Sequence, residues 1–494
     1  MNFVLIMTDT QNRGMVGAYG RPGADTPNLD RLAADGVRFD RAYTTCPLCT
    51  PARSAIFSGI HSMVNGAWAN NLPTYPTIPL MGTIFRHYGY RAAYAGKWHL
   101  DGSGYFGDGV PGGGFEPEWW YDGKRYARDI GPKMFQAYRQ AKTPEDLRQA
   151  GFSENNIWGH RVADRALDFL AQAGDQPFVL VASFDEPHGP SVAPPEYWES
   201  FDPESLTMPP NFGAATQGKP RLQQIHRKHC GIDPEQWPRY RDKQRCFHAC
   251  NAYIDREIGR VIEAVEKFGD DDTMIIYTSD HGDMQGAHGL CTKGPMMYEE
   301  TTNVPFVIRA PGGASQAISQ SLVSHLDILP TMLDFAGLPC PETLQGISLR
   351  PTLEKPSAPS RETALLSFNR FAINHDDWGE FYPIRCLTDG RYKLAINLLD
   401  TDEFYDLAED PHEMANRIDD PGCAAERDRL HDELLAEMDR IRDPFRSWHW
   451  GSRSWRSVRS PFYHGGKRRN PPVGFPFQPG GIEADGSGLQ GQGN

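Results

Sequence analysis

Short apolar runs alternate with longer amphipathic stretches along this chain. FVLIM at 3–7, FVLVASF at 178–184, TMIIYTS at 273–279 and VPFVIR at 304–309 read as strands, rich in β-branched and aromatic residues. Between them the spacing turns helical. Thr26 followed by Pro27 ahead of NLDRLAADG combines an N-cap residue with proline at the first helical position, and Gly36 ends the segment. The stretch from Arg239 to Gly269 is the longest periodic one, and LDILPTMLDFAG at 326–337 reads as a short helix despite Pro330. This alternation predicts an α/β fold with a large parallel or mixed sheet covered by helices.

After about residue 360 the texture changes. ETALLSF, IRCLTDG, YKLAINL and EFYDL are short strands with turn signals, followed by the helix AAERDRLHDELLAEMDRI. They predict a smaller C-terminal α+β domain with an antiparallel sheet. The expected organisation is a large domain over 1–360, the small domain over 361–445 and a tail over 446–494. Residues 101–158 interrupt the large domain with seven glycines by Gly114 and then FEPEWWYDGKRY. Ordering so long a Gly-rich loop around Trp119, Trp120 and Tyr121 costs entropy, which favours a substrate-facing insertion over a plain surface loop. No internal repeat is present.

The chain has 494 residues and a formal charge of −14. The acidic balance argues against a nucleic-acid binder. The tail from Arg446 on carries seven Lys and Arg against two Asp and Glu. Its mixture of Arg with Trp suggests an arm that docks onto an acidic surface of its own or a neighbouring subunit, the route to a homo-oligomer, with the last dozen residues disordered. No apolar run is long enough for a membrane helix. The first, Phe3 to Met7, runs straight into Asp9 without a basic lead-in, so it reads as a strand and not a signal peptide. Nine scattered cysteines fit reduced thiols. A cytoplasmic location is expected.

Asp9 directly follows the first strand, and Asp280 and His281 directly follow TMIIYTS. In open α/β sheets ligands gather beyond the carboxyl ends of the strands, so these donors can converge on one cation. An isolated Asp after a strand is usually a turn residue; two such sites with matching placement favour the metal reading. Carboxylates with one imidazole suit Ca²⁺ or Mn²⁺ better than Zn²⁺. Between them in sequence lies CPLCTPARSAIFSG, residues 46–59. Pro51 suits a first helical turn, which puts Cys49 at a helix N-terminus, where an anion is favoured and a thiol is acidified. A buried structural cysteine and a redox pair with Cys46 are the alternatives; the interior Pro-Leu and the lack of a thioredoxin-like context speak against the second.

Cys49-Thr50-Pro51-Ala52-Arg53, with Ser54 and Ser58-Gly59, resembles the sulfatase signature C-x-P-x-R. The resemblance continues through MTDTQ at 7–11, GKWHL at 96–100, DEPHGP at 185–190, SDHGDMQGAHG at 279–289, Lys293, MYEETTNVPFVIRAPG at 297–312 and FYDLAEDPHEMANR at 404–417, and so covers roughly residues 1–440. It implies an alkaline-phosphatase-like fold and a hydrolase for a carbohydrate or aryl sulfate monoester. It further implies formylglycine made from Cys49 by a maturation enzyme, and one divalent cation, Ca²⁺ with Mn²⁺ as the alternative. By the same resemblance Asp9, Cys49, Asp280 and His281 hold the cation. Arg53, Lys97 and Lys293 surround the sulfate, His188 protonates the leaving group, and His99 takes a proton from the second hydroxyl of the aldehyde hydrate.

The sequence departs from the commonest sulfatase pattern at two points. Thr10 stands where many sulfatases have a second acid, so either Thr10 or Gln11 supplies an uncharged oxygen or the cation has fewer ligands. His281 stands where many have Asn, a feature shared with phosphonate monoester hydrolases and phosphodiesterases, which form the runner-up reading. A non-catalytic glycan-binding relative with Trp119 and Trp120 stacking on sugars ranks lower, since no expected catalytic position is missing.

Overall fold

β1 (Asn2–Asp9) shows the period of two in its packing: Val4 and Ile6 join one hydrophobic core, and Phe3, Leu5 and Met7 join another on the opposite side. A strand covered on both faces belongs in the middle of a sheet. In the computed structural model, which describes residues 1–20, 23–141, 144–269, 271–373 and 381–464, that sheet has eight strands. The others are β2 (Val37–Tyr43), β3 (Arg91–Gly96), β4 (Trp120–Tyr121), β5 (Phe178–Pro187), β6 (Thr273–Ser279), β7 (Phe306–Arg309) and β8 (Ala317–Ser324). Their order is β4-β3-β5-β1-β6-β7-β2-β8. β7 runs antiparallel to both neighbours, so the sheet is mixed. β4, β3, β5, β1 and β6 are mutually parallel, and their carboxyl ends open onto one edge of the molecule.

Helices Pro27–Asp35, Trp158–Gln172 and Trp237–Phe268 cover one face; Cys49–Ser58, Met81–His87 and Ile328–Phe335 cover the other. One local expectation needs correction. The Thr26 hydroxyl does not cap its helix; it accepts from Gly17 N at 2.8 Å, while Asn28 N and Leu29 N donate to Asp255 of the long helix at 3.0 and 2.9 Å. The cap is thus tertiary, from a carboxylate more than two hundred residues away in sequence. Pro330 is tolerated because it is the third residue of Ile328–Phe335, where no N–H partner is required.

The small domain is an antiparallel sheet of β9 (Ala364–Phe368), β10 (Ile384–Thr388), β11 (Tyr392–Asn397) and β12 (Glu403–Asp406), in the order β12-β11-β10-β9. One face packs under helix Ala424–Arg440. The other, through Leu366, Phe368 and Cys386, packs against Tyr43, Cys46 and Leu48, the residues that lead into the Cys49 helix. It buttresses the turn that sets Cys49.

The first part of the tail folds onto this domain. Trp450 is fully buried, Arg453 and the Trp455 indole both bond Asp402 at 2.8 Å, and Arg456 pairs with Asp432 at 2.8 Å. The basic, aromatic composition is therefore answered by acids of its own chain; the last dozen residues lie outside the described ones. The aromatic insertion also divides differently from expectation. Trp120 is buried among Tyr94, Trp98 and Phe115, and Trp119 packs edge-on against Phe169, so these rings serve the core. Tyr105, nearer the start of the segment, is the ring that reaches the site.

Candidate active site

Four neighbouring parallel strands deliver four of the site residues. Asp9 ends β1, Lys97 follows β3, Asp185 lies near the end of β5, and Asp280 follows β6. The Cys49 helix points its N-terminus at the same place; all ten of its residues are buried. Thr50 N donates to Asn70 Oδ1 at 3.0 Å, and Gly59, with φ of 66°, closes the helix in the left-handed region. Arg53, one turn on from Cys49, shares its face.

Arg53 and Lys97 knit the carboxylates together. Arg53 donates from Nε to Asp280 Oδ2 at 2.8 Å and from Nη2 to Asp9 Oδ2 at 3.2 Å, with its remaining reach spent on Ser183 Oγ and the Lys97 carbonyl. Lys97 Nζ lies 2.7 Å from Asp9 Oδ2, 3.1 Å from Asp185 Oδ1 and 4.0 Å from Cys49 Sγ. Burial pushes the Asp9 carboxyl up, but Lys97, His188, His281 and Arg53 together hold it well below the usual carboxylate range. Asp280 moves the other way, raised by burial and by the charge of Asp9.

Asp9, Cys49, Asp280 and His281 are all buried, and one ligand atom from each lies within 4.8 Å of every other. His281 Nδ1 is tied to the Gly282 carbonyl at 2.9 Å, which fixes the tautomer and leaves Nε2 facing Cys49 Sγ at 3.2 Å and the carboxylates. The donor set fits a divalent cation: two carboxylates crowd there, and one of them is already raised by the other's charge. Thr10 stays at the site; its hydroxyl donates to Asp9 Oδ1 and its N–H to Asp280 Oδ1. Gln11 does not. Its amide nitrogen donates to Asn251 and its oxygen accepts from Tyr277 and Thr8, so it is excluded as a cation ligand.

A second ring of groups surrounds position 49. His99 Nε2 lies 3.1 Å from Asn71 Oδ1, so the proton sits on Nε2, and the buried Nδ1 has no hydrogen-bond partner among the described residues. Burial, then Lys97 and Arg53, keeps this imidazole well below its usual pKa. It is a neutral base with a free lone pair. His188 Nδ1 contacts Tyr105 OH at 2.9 Å and the Gly189 carbonyl at 2.8 Å, and burial with Lys293 and Lys97 lowers its pKa too. Lys293 Nζ reaches Thr10 Oγ1 at 3.5 Å. Tyr105 also donates to Asp185, and its ring lies 3.8 Å from Lys97 Nζ.

The structure thus brings together Asp9, Thr10, Cys49, Arg53, Lys97, His99, His188, Asp280, His281 and Lys293. Sequence reasoning assigned no role to Asp185, Tyr105, Asn71 or Ser183. Asp185 stood within the DEPHGP motif, and its place near the end of a strand was the available signal. Tyr105 and Asn71 lie in loops with no periodic signature.

Comparison by sequence points to one family. The family profile described as Sulfatase matches residues 1–338, and the profile for the N-sulphoglucosamine sulphohydrolase C-terminal region matches residues 286–440. The uncharacterized sulfatase YidJ of Escherichia coli (strain K12) is 39% identical over 482 residues, covering 96% of this chain and 94% of that protein. The N-acetylglucosamine-6-O-sulfatase of Bacteroides thetaiotaomicron is 27% identical, covering 84% of this chain and 82% of its own length. Among solved structures, the phosphonate monoester hydrolase of Agrobacterium radiobacter matches with a TM-score of 0.73 over 89% of this chain and 96% of that one. At 22% identity that likeness speaks for the alkaline-phosphatase-like fold alone.

Proposed function

Because the chain belongs to the sulfatase family and is a sulfuric ester hydrolase, we propose that it cleaves a saccharide sulfate monoester at a formylglycine made from Cys49. The observation that carries this reading is the buried meeting of Cys49 with Asp9, Asp280 and His281 at a helix N-terminus. A cation held by Asp9, Asp280, His281 and position 49, Ca²⁺ by the hardness of the carboxylates or else Mn²⁺, supplies Lewis-acid stabilisation of the sulfate oxygens.

The chain's own groups do the rest. Arg53 holds both carboxylates in place, and Lys97 and Lys293 offset the negative charge that grows on the sulfate and the leaving oxygen. A hydroxyl of the aldehyde hydrate passes its proton to Asp280, whose pKa is raised by burial and by Asp9, and attacks sulfur; the bond from sulfur to the substrate oxygen breaks, and His188 gives that oxygen its proton. His188 is neutral in the free site, and the charge of the bound sulfate favours its protonated form. His99, neutral and with Nδ1 unpartnered, takes the proton from the second hydroxyl. The carbon–oxygen bond to sulfate then breaks and the aldehyde returns.

The saccharide substrate is supported by the N-acetylglucosamine-6-O-sulfatase among the relatives. The odd, scattered set of nine cysteines supports a cytoplasmic setting, with maturation by a formylglycine-generating enzyme. Rates on an aryl sulfate and an aryl phosphonate, measured with one preparation, test the transferred group. The sulfate reading requires the sulfate to be the faster substrate, and a faster phosphonate overturns it.

A further inference from the structure

Beside the catalytic ring lies a cavity of about 600 Å³ bounded by the start of the Gly-rich loop and the helix Gly123–Gln140. Its wall nearest the chemistry is Tyr105, the residue whose hydroxyl meets His188 and whose ring lies 3.8 Å from Lys97 Nζ. Tyr105 thus borders both the catalytic ring and this cavity. Phe106 and Phe135 form its apolar floor, edge to face at 4.9 Å.

The helix supplies the rest of the lining. Lys124, Arg128, Phe135 and Arg139 recur at intervals of four, seven and four, one face of a helix, which bends at Gly131 (φ 79°) ahead of Pro132. Lys124, Arg128 and Arg139 are exposed, and among the described residues none has a carboxylate within ion-pair distance. Neighbouring cations differ. Arg125 is spent on the Gly109 and Trp120 carbonyls, and Arg165 pairs with Asp129. The nearby acids are also spent, on the loop itself: Asp122 accepts from Arg125 N and Gly109 N, and Asp101 from Ser103 N and Asp108 N. Three like charges line this one cavity without a carboxylate partner among the described residues, and an anion bound there offsets their repulsion.

We propose that this cavity is a second anion subsite, in which Lys124, Arg128 and Arg139 hold a carboxylate or a further sulfate of the substrate while Phe106 and Tyr105 face its sugar ring. The enzyme's substrate is then an acidic saccharide carrying at least one negative group besides the scissile sulfate. The inference rests on the sulfatase reading above and names the substrate class of that site.

The test uses four sulfate esters on the full chain: a disaccharide with a uronate, a disaccharide with a second sulfate, a neutral monosulfated disaccharide and a simple aryl sulfate. The ratio of kcat/KM for an anionic over the neutral disaccharide should exceed one in the native enzyme. It should fall about tenfold in R128Q and in R139Q, the loss of one charge-assisted contact. A fall with the uronate only assigns the site to carboxylate, with the disulfated sugar only to sulfate, and with both to anions generally. In the native enzyme, rising ionic strength should erode kcat/KM more steeply for the anionic disaccharides than for the neutral one. This arm stands even if a variant does not fold. An unmoved ratio and equal salt slopes, with the aryl sulfate turned over, sink the subsite alone. Failure to hydrolyse any of the four sinks the sulfatase reading and the subsite with it.

Discussion

Cys49 Sγ stands 3.2 Å from His281 Nε2, so the proposed site of modification and the proposed imidazole ligand meet at one point. Burial would lower the His281 pKa, but Asp280 and Cys49 raise it to about 9. A cation must displace that proton to use Nε2. In protein whose Cys49 is unmodified, cation affinity should therefore rise about tenfold per pH unit between pH 7 and 8, with proton release. Calorimetric titration in buffers of different ionisation enthalpy measures both. A pH-independent affinity would show that His281 is not a ligand.

Lys97 faces two carboxylates and position 49, and Lys293 faces Thr10. Replacing either lysine with alanine should lower turnover at least about tenfold, on the scale of a lost electrostatic donor. K97A should also lose stability, because buried Asp9 and Asp185 lose the cation they share. Steady-state kinetics with thermal unfolding checks both effects; native turnover in both variants would place the lysines outside the chemistry.

His99 is held neutral by burial and then by Lys97 and Arg53. Its folded pKa lies well below the ordinary 6.5, so the base stays available as pH falls through 6.5 and is lost only at the depressed value. The acid limb of turnover should accordingly fall below the ordinary histidine range, and H99A should cost about a hundredfold in turnover. A pH profile of kcat with H99A as control decides this; an acid limb near 6.5 contradicts it.

Glu186, next to Asp185, is buried with one oxygen on Gly159 N at 2.9 Å and the other without a hydrogen-bond partner among the described residues. Burial and the charge of Asp185 raise its pKa from 4.5 to about 8. Between those values the unfolded chain has lost a proton that the folded chain retains, so the group destabilises increasingly as pH rises from 4.5 to about 8. E186Q should match the native protein in Tm at pH 4.5 and exceed it at pH 8. Parallel Tm curves for the two proteins across that range would refute the assignment.

Much of this site was legible because its residues sit at element ends. Asp9, Asp280 and His281 follow strands that hydrophobic runs announce, and Cys49 precedes a proline that marks a first helical turn. What escaped depends on tertiary contact. Nothing local separates Thr10 from Gln11, yet the neighbouring Asn251 and Tyr277 take the Gln11 amide away from the cluster. Trp119 and Trp120 read as ligand-facing because ordering a long glycine-rich loop around them costs entropy. Trp120 is core here because a two-residue strand pairs with β3 and draws its ring inward, and the half-buried Trp119 packs at the core's edge against Phe169. Asp185 and Tyr105 matter through what they do to Lys97 and His188, a relation no single-residue pattern carries.

The central claim is that position 49, changed from thiol to formylglycine, is the nucleophile. Mass spectrometry of the peptide containing residue 49, on preparations made with and without the maturation enzyme and assayed on one aryl sulfate, tests it directly. Sulfatase activity should rise in proportion to the fraction of peptide carrying the aldehyde and vanish in C49A. Full activity in a preparation whose peptide carries only the intact thiol would contradict it.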